Sequence, residues 1–299
     1  MTPYLHHDDP PSALAAMLFI PASDAKKLDK IPDLSVRAFL LDLEDGVAPS
    51  AKGEARELLS THSLNAKPEQ RVWVRVNSAD TPHLKADLEA AVRTGVHGIN
   101  LPKVEDAAAM HALDWFLTQL ERERDLPRLP VMATIETALG LENLPQITRA
   151  TDRLHSLTFG SADYSRDVGL EWPPPAEPSA TLTLARARLV QASRAAGLHA
   201  PHDGASSEFR DLELLKTQTG KAKALGFGGK HAIHPAQIPV IEAVFGPSET
   251  ELAWAEKTHA AFQQALQDGK GAANVDGQMV DAPIAERAKQ LLVAAGRKL

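Results

Sequence analysis

The chain has 299 residues, 43% hydrophobic and 24% charged, with a formal net charge of −7 and no cysteine. Duplex nucleic acid is excluded as the main partner because no basic run is present to neutralise its phosphates, and without cysteine there are no disulfides, thiolate metal sites or cysteine nucleophiles. No window approaches the roughly 20 apolar residues of a membrane span, and the start "MTPYLHHDDPPSALAAMLF" lacks the basic and apolar regions of a signal peptide, so no membrane is expected and the cytoplasm is the expected compartment.

Along the chain, short β-rich runs alternate with helical patterns. Runs at 17–21 (MLFIP), 37–45 (RAFLLDLED) and 71–77 (RVWVRVN) come first. Residues 81–95 then repeat Leu84, Leu88, Ala91 and Val92 on one face, which predicts a helix that Gly95 can end. A run at 98–103 (GINLPK) precedes a helix within 105–125, and runs at 129–136 (LPVMATIE) and 155–163 (HSLTFGSAD) follow. The proline-rich loop "EWPPPAEPSA", 171–180, reads as a stiff wall at one end of the fold. A helix within 180–197, a weaker run at 197–204 (GLHAPHDG), a helix within 209–226 and a run at 228–235 (GGKHAIHP) complete the alternation. Eight strand–helix units with continuously apolar strands predict a closed (β/α)8 TIM barrel over residues 1–245; an open doubly wound sheet is the alternative. No G-x-G-x-x-G follows the first run, which weakens a dinucleotide-binding reading. Beyond it, 246–299 read as a C-terminal helical segment: Ser248 and Glu251 form a capping box, Asp276-Gly277 mark a turn, and a last helix follows Pro283.

In a parallel barrel, chemistry sits at the carboxyl ends of the strands. Those ends carry Asp42, Glu44 and Asp45, Arg75 and Asn77, Lys103, Glu136, Asp163, His202 and Asp203, and His234. Buried charge costs several kcal/mol unless paired or coordinated, so this pattern points to a shared site. Glu136 and Asp163, from adjacent strands, suit Mg²⁺, which takes one or two carboxylates plus water and substrate. Arg75 supplies a planar cation for an oxyanion. Plainer readings stand beside these. Asp163 could cap a helix, Glu136 could pair with Lys103 or Arg75, and His231 and His234 are read as structural hydrogen-bonders rather than a metal pair. His6 and His7 lie in a polar tail. No G-x-S-x-G elbow is present.

The segments "LFIPAS", "LLDLEDGVAPSAKGEAR", "VWVRVNS", "INLPKVED", "ATIETALGLENL", "LTFGSADYSRDVG", "GFGGKHAIHPAQI" and "DGQMVDAPIAERAKQLL" occur in this order. Together, over about residues 16–295, they resemble the citrate lyase β-subunit family of the HpcH/HpaI aldolase superfamily, which includes citryl-CoA, malyl-CoA and citramalyl-CoA lyases. The resemblance implies a homotrimeric (β/α)8 barrel with Mg²⁺ on Glu136 and Asp163, a catalytic Arg75, and Asp45 near the waters of the metal. It also implies that Asp281, carried by the C-terminal lid segment, reaches a neighbouring subunit's site. Where the family places Arg-Ser to line the acyl-CoA site, this chain has Ala15 and Ala16, so Lys26 and Lys27 become the candidates for CoA contact.

The expected reaction is a retro-Claisen cleavage of a β-hydroxyacyl thioester into an acyl-CoA and a 2-keto acid. Backbone N–H groups of Ser161, Ala162, Asp163 and Tyr164 would receive the acid's carboxylate, and Asp281 would exchange the proton at the enolate carbon. A malyl-CoA-type thioesterase, an aldolase on free hydroxy-keto acids and a non-catalytic binding subunit are the alternatives. The need for an acyl-carrier or lyase-complex partner is left open.

Overall fold

The computed structural model describes residues 14–172 and 179–297; His6, His7 and residues 173–178 of the proline-rich loop lie outside the described residues. Eight parallel strands pair in sequence order: β1 (Ala16–Pro21), β2 (Ala38–Asp42), β3 (Arg71–Arg75), β4 (Gly98–Leu101), β5 (Val131–Ile135), β6 (Leu154–Phe159), β7 (His202–Asp203) and β8 (Gly229–Ala232). Pairing of β1 with β8, Met17 opposite His231, closes the expected barrel. Around it lie α1 (Ala25–Leu28), α2 (Lys52–Thr61), α3 (Leu84–Ala91), α4 (Ala107–Glu123), α5 (Ala138–Glu142), α6 (Leu144–Ile147), α7 (Ser161–Asp167), α8 (Ala180–Ala195), α9 (Leu212–Leu225) and α10 (Ile238–Phe245). No helix among the described residues is long and apolar enough to cross a membrane.

The two-residue period of a strand sorts its side chains into two layers. Phe39 and Leu41 of β2, Val72 and Val74 of β3, and Val131, Ala133 and Ile135 of β5 face outward and share one core with helix residues such as Leu59, Leu88, Leu117 and Leu189. The alternate residues face inward. Low in the barrel these are apolar: Leu14, Met17, Ala38, Leu40, Trp73 and Met132 form a plug, with Phe19 packed on it. Gly98 makes room for Trp73, since a Cβ there would stand 2.5 Å from the indole carbon Cζ3. One pleat higher the same faces turn polar. Leu40 gives way to Asp42, Trp73 to Arg75, and Met132 to Thr134 and then Glu136. The plug therefore closes the barrel below while charged groups gather at its carboxyl end.

The C-terminal segment follows α10, whose Ile238 and Ile241 still belong to the barrel core. Then come α11 (Glu249–Gln267), the hairpin β9 (Ala273–Val275) and β10 (Gln278–Val280), and α12 (Ala282–Ala294). The Ser248–Glu251 capping box is formed, with N–H···O distances of 3.1 and 2.8 Å. Asp276 and Gly277 have φ of 53° and 83°, the two left-handed residues that a tight antiparallel hairpin favours. This segment builds small apolar clusters of its own, one from Leu252, Ala255, Ala288 and Leu292, the other from Phe262, Val275, Val280 and Ala285.

Candidate active site

The charged strand ends surround a cavity of about 780 Å³ at the carboxyl end of the barrel, lined by Asp42, Asp45, Arg75, Glu136 and Asp163 among others. Arg75 is its most firmly held member. The Arg75 Nε donates to Asp42 Oδ1 at 2.8 Å and Nη2 to Oδ2 at 2.7 Å, a two-pronged pair that fixes the guanidinium plane. Its Nη1 lies 3.0 Å from Glu44 Oε2, and its Cζ sits 4.7 Å from the Phe19 ring centroid. Asp42 is in turn oriented by the N–H groups of Glu44 (2.9 Å) and Gly46 (2.8 Å). Burial pushes the Asp42 pKa up, but the charge and hydrogen bonds of Arg75 and the two N–H groups outweigh it and hold the carboxylate below its usual value. Glu44 also takes Lys103 Nζ at 2.6 Å; burial nevertheless leaves its own pKa raised.

Glu136 is placed differently. It is 4% exposed, and its Oε1 accepts the N–H of Lys103 at 2.9 Å. Lys103 has a left-handed φ of 51°, so the chain leaving β4 is bent where its N–H meets this carboxylate. The other oxygen, Oε2, lies against Gly160: a Cβ on Gly160 would overlap Oε2 and stand 2.5 Å from Glu136 Cβ. Glycine is required there by close approach, since φ is an ordinary −89°. Burial first, then the like charges of Glu44 and Asp163, raise the Glu136 pKa to about 8 against the opposing Arg75. Asp163 stands in the first turn of α7, its Oδ1 2.7 Å from Nη2 of the exposed Arg166. Among the described residues, no three or more His, Cys, Asp or Glu side chains are grouped to enclose an ion by themselves. Two facing carboxylates that repel one another, and leave the other positions to water and substrate, fit a hard divalent cation such as Mg²⁺.

The profile of the HpcH/HpaI aldolase/citrate lyase family matches residues 15–235. The chain belongs to this family. Two curated relatives of this aldolase/lyase-class enzyme are the citrate lyase subunit beta of Leuconostoc mesenteroides subsp. cremoris, 34% identical over 93% of this chain and 92% of that protein, and the (3S)-malyl-CoA thioesterase of Cereibacter sphaeroides (strain KD131), 36% identical over 94% of each. Among solved structures, the CitE protein of Mycobacterium tuberculosis in complex with magnesium, acetoacetate and coenzyme A aligns with a TM-score of 0.79 at 30% identity, over 95% of this chain and 100% of that one.

In this HpcH/HpaI-family chain the cavity brings together Arg75, Asp45, Glu136, Ser161, Ala162, Asp163 and Lys27. Four expectations need correction. Asp163 is not at a strand end: β6 stops at Phe159, because Gly160 admits Glu136 and the chain turns directly into α7. Tyr164 does not offer its backbone to the cavity; its N–H donates to Gly160 O at 3.0 Å and its ring is buried against Phe159. Lys26 is exposed and off the cavity lining, while Lys27 lines it and pairs with Asp24 at 3.3 Å. Ala15 and Ala16 lie at the start of β1, about 16 Å of strand below Pro21, and are buried at 3% and 2%, so their identity leaves the mouth of the cavity unchanged. Asp281, expected over a neighbouring subunit's site and so outside these four, does not line its own chain's cavity; it caps α12, accepting the Ile284 N–H at 3.3 Å.

The Arg75 clamp was visible in the sequence only as a list of charges. The period of two was the signal that could have found it, since it puts Asp42 above Leu40 and Arg75 above Trp73. The same count reaches inward residues that the sequence reading left aside, Asn100, Thr134 and Thr158. His234 meets its structural expectation, its Nδ1 accepting the Ala236 N–H at 3.1 Å. At His231, Nε2 has no hydrogen-bond partner, and the ring meets Phe19 edge-on at 5.2 Å.

Proposed function

We propose that this enzyme is a Mg²⁺-dependent carbon–carbon lyase that cleaves a β-hydroxyacyl thioester of the citryl-CoA, malyl-CoA or citramalyl-CoA type into an acyl-CoA and a 2-keto acid. The observation that carries the reading is the buried Glu136 carboxylate, facing Asp163 and standing beside an arginine clamped by Asp42. Glu136 and Asp163 are the residues that would hold the cation. Bound there, Mg²⁺ supplies Lewis-acid polarisation of the hydroxyl and carboxylate oxygens of the acid portion. As the carbon–carbon bond breaks, the hydroxyl gives up its proton to water in the cavity and its carbon becomes the carbonyl of the keto acid, while the electron pair of the broken bond passes onto the thioester carbonyl. Arg75 meets the resulting enolate oxygen, a contact stronger in the transition state than in the ground state. Its pairing with Asp42 keeps the guanidinium aimed without reorganisation. The free first-turn N–H groups at Ser161 to Asp163 receive the acid's carboxylate, and Asp45 orients water at the metal. Lys27 faces the phosphates of CoA. Protonation of the enolate carbon falls to Asp281 of a neighbouring copy in a homotrimer, with residues 246–299 acting as a lid on the barrel of 1–245.

The test is a Mg²⁺-dependent assay on citryl-, malyl- and citramalyl-CoA with detection of keto acid. Release of a keto acid supports the reading; turnover of none of the three overturns it. The 36% identity to a malyl-CoA thioesterase favours one second reading, hydrolysis of the thioester by water. In that case free CoA and intact hydroxy acid appear without keto acid.

A further inference from the structure

The loop between β2 and α2 brings Asp42, Asp45 and Gly46 to the cavity, and behind it stands Lys52, which does not line the cavity. Lys52 opens α2, the end of a helix that favours anions over cations, and it is only 8% exposed. Its Nζ donates to Leu43 O at 2.8 Å, Glu44 O at 2.9 Å and Asn77 Oδ1 at 2.7 Å, so all three ammonium protons go to neutral oxygens. Satisfying those carbonyls does not require it. Leu43 O also accepts Asn77 Nδ2 at 2.9 Å, and Glu44 O also accepts the Val47 N–H at 3.1 Å. Asn77 is itself held by Asp87, which takes its Nδ2 at 2.6 Å and its N–H at 2.8 Å and pairs with Arg56 at 3.1 Å. What Lys52 adds is a positive charge, in a place where burying one is costly.

We propose that Lys52 is a positioning residue for Arg75, acting through the Leu43–Glu44 peptide and Asp42. This rests on the lyase reading and deepens it. The Leu43–Glu44 peptide carries Lys52 on its carbonyl and Asp42 on its N–H. That N–H donates to Asp42 Oδ1 at 2.9 Å, and the same oxygen accepts Arg75 Nε at 2.8 Å. A cation on the carbonyl polarises the peptide and strengthens the bond that its N–H makes, as along any hydrogen-bond chain at low dielectric. The second carbonyl serves the same end by geometry. Glu44 O begins a turn closed by the Val47 N–H, and the middle residues of that turn, Asp45 and Gly46, line the cavity. Gly46 gives its N–H to Asp42 Oδ2 at 2.8 Å, so both oxygens of the clamp are held by a turn that Lys52 anchors from behind. Three acids, Asp42, Glu44 and Asp45, share this loop; Arg75 and Lys103 answer them from one side and Lys52 from the other.

The experiment compares Lys52→Met, Asp42→Asn and the double variant of the full chain in steady-state turnover with Mg²⁺, on whichever of citryl-, malyl- and citramalyl-CoA the unmodified protein cleaves. Lys52→Met keeps the apolar stem and leaves each carbonyl one donor. The expected result is a kcat lowered about ten- to a hundredfold, with KM and calorimetric Mg²⁺ affinity held within threefold, because a misaimed Arg75 costs the transition state and not ground-state binding. In the Asp42→Asn background the same change should cost less than threefold, since the residue it acts through is already altered. Circular dichroism checks folding. If Lys52→Met fails to fold, Lys52→Gln, which keeps an amide donor and loses the charge, carries the test with the same expected pattern. A folded single variant with kcat within threefold of the parent, a loss confined to KM or Mg²⁺ affinity, or equal losses in the two backgrounds overturns the positioning role and leaves the lyase reading standing. Turnover of none of the three thioesters by the unmodified protein overturns both.

Discussion

Replacing Asp42 with asparagine keeps the shape of the clamp and removes its charge. Asp42 accepts four hydrogen bonds, from Arg75 Nε and the Glu44 N–H on Oδ1, and from Arg75 Nη2 and the Gly46 N–H on Oδ2. An asparagine has one carbonyl oxygen, so whichever way its amide points, its NH₂ faces two donors and two bonds are lost, one of them to a cation. With bonds to charged groups at about 1.5–3 kcal/mol and the guanidinium left partly uncompensated, the loss comes to about 3–5 kcal/mol at pH 7. The sign with pH follows from the lowered Asp42 pKa. Its contribution is fully present above the unfolded carboxyl value of about 3.9 and disappears as pH falls through the lower folded value. The variant and the parent should therefore converge in stability under acid. Equilibrium urea unfolding across pH measures this. Turnover should drop at least about 10²-fold, because Glu44 alone re-aims the guanidinium. Unchanged stability at pH 7 together with turnover within twofold would refute the role given to the clamp.

Arg75→Ala should lower keto-acid release by about 10²–10³ while Mg²⁺ binding by calorimetry stays within a few-fold; an active variant would remove Arg75 from the mechanism. In metal-free protein the Glu136 carboxyl titrates at about 8, so cation uptake must displace a proton below that value. Mg²⁺ affinity should rise by up to about tenfold per pH unit towards 8 and flatten above it. The same raised pKa means that the folded state binds more protons than the unfolded between the two values, so metal-free stability should decline as pH rises through that window. Gly160→Ala drives a Cβ into Glu136. It should lower the unfolding midpoint and weaken Mg²⁺ binding at least tenfold, and normal metal affinity would show that Glu136 is not a ligand.

Most of the barrel was legible because the signals were redundant. The first six strands announced themselves by apolar runs, and several helices by spacings of three and four, as at Leu84 and Leu88. The strand ends were less so. The run 155–163 looked continuous, but Gly160 and the packing of Glu136 against it end β6 early and put Asp163 on a helix. That is a tertiary cause which no local pattern carries. Arg75 stood out as a planar cation with Glu136 as its suggested partner, since bidentate pairing with Asp42 across the β2–β3 register shows only once Asp42 and Arg75 are seen to be direct neighbours. The position of Ala15 and Ala16 at the far end of β1 was countable from Pro21, because strand rise fixes the distance.

Crystals grown with Mn²⁺ and read by anomalous scattering test most directly whether one divalent cation sits between Glu136 and Asp163. The predicted result is a single peak within about 2.0–2.3 Å of a Glu136 oxygen and an Asp163 oxygen, with Asp163 released from Arg166. Density without a peak there, with Asp163 still paired to Arg166 and Glu136 still held on the Lys103 N–H, would contradict it.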